Sequence, residues 1–131
     1  MRSLALVLFL AVSCGAVSQT LAQTLSEDPS ALGIWEGQLV FGRTDMTVEF
    51  TLGMQNGAYT AIITSTAMGI YGMPADSVTI DNAKIEMRFP AIDLVFNGDF
   101  RADESGSAYV RLDGDWFQEA EMVPISLTPA E

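Results

Sequence analysis

Two hydrophobic patterns divide this sequence. Leu4 to Val12 is an unbroken apolar run of nine residues, whereas from Gly33 onward apolar and polar residues alternate in short segments separated by turn formers. The clearest segment is Met46-Thr47-Val48-Glu49-Phe50-Thr51-Leu52, whose strict alternation predicts a strand with one buried and one wet face. Gln55-Asn56-Gly57-Ala58 follows, and Asn-Gly is a strong hairpin signal because both residues tolerate positive φ. Further strands are expected at 33–41, 59–66, 77–80, 84–89, 92–100, 108–118 and 121–128, making eight. No stretch after the first apolar run has helical periodicity.

Eight sequential strands with short connections predict an all-β, antiparallel, up-and-down meander. No helix is available to cover an apolar face, so the sheet is expected to close into a barrel or curl strongly, as in lipocalin-like folds. Such a barrel encloses either packed side chains or one small ligand. An outer-membrane barrel would turn apolar residues outward, whereas Thr47, Glu49, Lys84, Glu86 and Arg88 require a wet exterior.

The N-terminus changes the picture of where this domain works. Arg2, the apolar run and the small-residue stretch Ser13-Cys14-Gly15-Ala16 are the three parts of a secretory signal, and the run is too short to span a bilayer. Cleavage is expected after Ala22, with Ser18 as the alternative, so the reading is a signal at 1–22, a flexible leader at 23–32 and one domain at 33–131. A periplasmic or secreted bacterial protein is implied. Cys14, the only cysteine, would leave with the signal; lipidation there is the alternative, against which Ala11 stands where a large aliphatic residue is usual. The mature chain would then lack thiols and any transmembrane segment.

Charge and composition exclude more than they assign. The formal charge is −11, and becomes −12 once Arg2 is removed, which argues against nucleic acid and against an anionic membrane surface. There is no histidine, which removes the Ser-His-Asp and Cys-His mechanisms and the usual zinc sites. Asp113 and Asp115 share a strand face, but a carboxylate pair of glycosidase type would need one of them buried to raise its pKa. Asp113-Gly114-Asp115 also lacks the ligand spacing of a calcium loop. The expectation is a non-enzyme without cofactor or metal, a carboxylate-only hydrolase being the enzymatic alternative.

One segment is unusual. Residues 67–76 read as a loop carrying Met68, Ile70, Tyr71 and Met73, apolar where loops are normally polar. These side chains either cap a barrel end or meet a partner. The six methionines that remain in the mature chain suit an adaptable apolar pocket or an irregular core.

The chain resembles the small β domain that precedes the catalytic domain of bacterial exported α/β-hydrolases. The resemblance rests on Gly33, Trp35, Gly37 and Leu39, on Ser65, Gly69, Gly72, Pro74, Asp76, Ser77 and Val78, and on Gly114, Trp116, Gln118 and Pro124. Thr66-Ala67-Met68 replaces that family's Pro-Asp-Gln. The opening Gly-x-Trp is also similar to lipocalin-type barrels. The resemblance implies an accessory module and a hydrolase partner, not a hydrolase. The expected function is thus non-catalytic binding of a small apolar ligand through Trp35, Phe50, Tyr71, Trp116 and Gln118, or an accessory role. The alternative is a protein-interaction module using the 67–76 loop.

Overall fold

The computed structural model of the protein describes residues 29–130. The signal at 1–22, Cys14 and the leader as far as Asp28 lie outside the described residues. The described chain forms β1 (Gly33–Phe41), β2 (Thr44–Gln55), β3 (Ala58–Ser65), β4 (Ile70–Pro74), β5 (Ser77–Asp81), β6 (Lys84–Phe89), β7 (Leu94–Ala102), β8 (Tyr109–Gln118) and β9 (Glu121–Pro129). All nine belong to one antiparallel sheet in the order β4-β3-β2-β1-β9-β8-β7-β6-β5. This is the curled, up-and-down, all-β architecture that the alternation predicts.

The strand count is nine rather than eight because 67–76 is not a loop throughout. A single 3-10 turn at Thr66–Met68 leads directly into β4, which pairs with β3. β4 and β5 run in the same direction, since the antiparallel ladder from β3 round to β6 reverses an even number of times. They are two halves of one path that changes partner. At the change, Ala75 N–H donates to Ala61 C=O and Asp76 N–H donates to Arg88 C=O, each at 2.8 Å. Those two bonds tie β3 to β6 through adjacent residues and draw the sheet's two ends together, which limits the open edge that a meander would otherwise expose.

Three hairpins use two-residue turns in which both central residues have positive φ: Asn56-Gly57, Asn82-Ala83 and Glu119-Ala120. This turn matches the right-handed twist of the flanking strands. Leu39, Val48, Phe50, Ile63, Met87, Phe96, Leu112, Trp116 and Leu127 are fully buried on the inner face. Ala31, in the stretch read as leader, is also buried, and its carbonyl accepts from Trp35 Nε1 at 2.9 Å. The end of that stretch is therefore packed on the domain at the end where β1 begins. β1 and β9 pair only over Trp35–Gly37 and Leu127–Pro129, so among the described residues the first half of β9 is paired on its β8 side alone.

Candidate functional site

Four of the five expected ligand contacts lie in the core. Trp35 retains 3 % of its surface, Phe50 and Trp116 none, and Gln118 5 %. Period-two alternation sends them to the same side of the sheet, where they meet other rings. Phe50 lies 5.2 Å from Phe96, 6.0 Å from Phe89 and 6.2 Å from Trp116, centroid to centroid. Trp35 packs on Phe100 at 5.3 Å, which in turn stacks on Tyr109 at 5.0 Å. These are the separations at which aromatic pairs attract beyond simple burial.

The polar atoms of this set are all engaged. Trp116 Nε1 donates to Gln118 Oε1 at 3.0 Å, and Gln118 Nε2 donates to the Ile92 carbonyl at 2.8 Å. Ile92 ends a single 3-10 turn, Pro90–Ile92, that connects β6 to β7. Gln118 thus links β8 to that turn and gives the buried indole N–H a partner, as a buried polar group requires. Trp35, Phe50, Trp116 and Gln118 line none of three well-formed surface grooves.

The candidate partner loop divides. Ile70 is buried, and Met68 and Met73 pack against the core. Ser65 Oγ, at the loop's entrance, donates to Thr47 C=O at 2.8 Å and anchors it to β2. Tyr71 alone turns outward, with 74 % of its surface exposed. It stands opposite Thr64 on β3, beside the outward pair Ile62 and Pro74.

A groove of about 520 Å³ crosses the outer face of β6–β9 over Gly98 and Gly114. Lys84, Asp99, Asp113, Asp115 and Ser126 edge it. Asp113 accepts from Arg111 Nε at 2.8 Å, Ser126 Oγ at 2.8 Å and Arg101 Nε at 3.2 Å. These donors, that of Arg111 foremost, hold its carboxyl down to about 2 against some opposition from partial burial. Asp113 is therefore a fixed anion clamping β7, β8 and β9, the reverse of a proton donor with raised pKa. Asp115 is exposed. Among the described residues no group of three or more Asp or Glu could hold a metal ion.

Sequence reasoning overlooked an outward apolar row. Val95 on β7, Phe117 on β8 and Met122 on β9 stand directly opposite one another. Phe117 is 45 % and Met122 63 % exposed. The signal was present, since both residues fall out of phase with the inward set Trp116, Gln118, Val123 and Ile125.

No family model, curated protein or solved structure matches this chain.

Proposed function

We propose that this chain is an exported, non-catalytic interaction module that works from its outer surface, with Tyr71 as a principal contact. The observation that carries the reading is the packing of the expected ligand contacts on the inner face. Phe50 packs near Trp116, Trp35 packs on Phe100, and Gln118, the one polar anchor expected, has its oxygen and its nitrogen both engaged. Tyr71 is the most exposed of the large apolar side chains. A tyrosine offers a large amphipathic surface at little conformational cost, and such residues anchor protein interfaces. An exported α/β-hydrolase is the partner class that the sequence resemblance suggests.

The test has two arms. Native mass spectrometry and tryptophan fluorescence with lipophilic probes are expected to show no uptake into the domain. Immobilised mature protein is expected to retain a partner from the exported fraction of its own source, and Tyr71→Asp to lose it while the circular dichroism and melting temperature stay unchanged. Stoichiometric uptake of a probe with tryptophan quenching, or capture unaffected by Tyr71→Asp, would overturn the reading.

A further inference from the structure

We infer that the outer row Val95–Phe117–Met122 is a docking surface for another protein whose apolar side chains are flanked by Lys or Arg; this rests on the reading of the domain as an interaction module. The three side chains oppose one another on consecutive strands, about 5 Å apart, and so form one continuous apolar stripe. The stripe runs out at the first half of β9, the segment that β1 does not pair. Val95, Phe117 and Met122 line none of the three grooves described above.

The charges around the stripe select the occupant. Asp115 and Glu119 flank Phe117 two residues away on either side, and Asp93 stands two residues before Val95. The one cation in line with the stripe, Arg88 opposite Val95, already donates from its guanidinium to Glu86 at 3.1 Å. The unpaired charges within two residues of Val95 and Phe117 are therefore acidic, while the uncharged Asn97 and Pro124 border the stripe beside Asp115. A second copy of this chain would bring the same carboxylates against it, and an anionic membrane would bring phosphates; both are repelled. A basic rim around apolar residues complements it, with the attraction acting chiefly on encounter and partner choice.

The probe is a short peptide of alternating lysine and valine, with a glutamate–valine peptide as its control. Anisotropy titration and amide shift mapping of the mature protein are expected to show saturable binding of the lysine peptide. Shifts should centre on 93–97 and 115–124. Phe117→Ser with Met122→Ser should weaken binding by about tenfold or more, as should a rise in salt, while the control peptide does not bind. Both substituted side chains point outward, and a melting curve checks that the variant is folded. In Asp115→Asn with Glu119→Gln, which leaves the apolar stripe intact, the salt dependence should shrink.

Three results would overturn the proposal: no binding, shifts spread over carboxylates elsewhere with affinity unchanged in the double variant, or a concentration-dependent dimer in sedimentation that the double variant abolishes. Tyr71→Asp keeps this inference separate from the wider reading. If the lysine peptide fails while Tyr71-dependent capture persists, only this surface is wrong.

Discussion

The β2–β3 and β8–β9 hairpins share a turn geometry but not the means of holding it. In the first, Asn56 and Gly57 take φ of 53° and 81°, a conformation those residues adopt readily. In the second, Glu119 and Ala120 take φ of 52° and 66°, where a Cβ is disfavoured by roughly 1–2 kcal/mol. The β8–β9 turn is therefore not selected by its own residues. It is imposed by the strands on either side, and those strands are pinned. At the turn end Gln118 is bonded to Trp116 and to Ile92, and at the far end Asp113 clamps Arg101, Arg111 and Ser126. Strain of this kind persists only where the surroundings over-determine the backbone. The strained turn also stands beside the exposed Phe117–Met122 pair, so that pair is held from behind.

The sharpest way to break the contrast is to remove the inner support. Trp116→Ala is expected to destabilise the domain by about 3–5 kcal/mol, the range for a buried aromatic truncated to alanine. It deletes the ring against Phe50 and leaves Gln118 Oε1 without its donor. Denaturant unfolding followed by circular dichroism measures this, and a loss below 1 kcal/mol would mean the indole is not a packing element. Gln118→Leu keeps the volume and removes only the polar links. The expected loss is about 1–3 kcal/mol, because the buried Trp116 N–H and the half-buried Ile92 carbonyl lose their partners. Amide exchange should accelerate at 116–123 and at 90–93 before it does in β2–β3, since Gln118 serves one hairpin and not the other.

Much of this was legible beforehand, and what was not has a physical cause. Period-two alternation placed Trp35, Phe50 and Trp116 inside, and Asn56-Gly57 marked its turn. Alternation says which side a residue faces, however, and nothing about how much room is left there. That depends on Phe89, Phe96 and Phe100 converging from other strands, which no local pattern displays. β4 escaped notice because a bulge breaks its period. The register shifts between Ile63 and Thr64, leaving Gly72, at φ 78°, as the extra residue. Ile70 and Met73 then both face inward although three apart, which reads as no periodicity at all. The outward row went unseen for a third reason. Val95, Phe117 and Met122 are remote in sequence and adjacent only by register.

The turns themselves permit a reciprocal experiment. Ala120→Gly is expected to stabilise the domain by about 1 kcal/mol, because glycine takes φ of 66° without strain. Gly57→Ala should destabilise by a similar amount or more, since no counterpart of Gln118 braces the β2–β3 turn. Chemical denaturation of the two single variants and their combination reads both effects. If the two substitutions move stability in the same direction, the claim that one turn is chosen by its sequence and the other imposed on it fails.

The smallest effect tests the outer end of the brace. Asp113 has its pKa lowered from 3.8 to about 2 in the folded protein, first by its bond to Arg111. A depressed carboxyl pKa means that the unfolded chain binds its proton first as the pH falls. The stabilisation is therefore fully present above about pH 5 and is lost progressively as pH drops through 4 toward 2. Solvent screens a partly exposed group, so the contribution is expected to stay under about 1 kcal/mol. Asp113→Asn should remove that part of the acid dependence and leave stability at neutral pH only slightly lower. Because Asp113 joins β7, β8 and β9, its protonation should loosen amides at 99–101, 111–113 and 126 without touching β2–β3. Equal loosening of both hairpins in acid would show instead that general charge repulsion, not this clamp, sets the low-pH limit, and the pinning of β8–β9 would then rest on Gln118 alone.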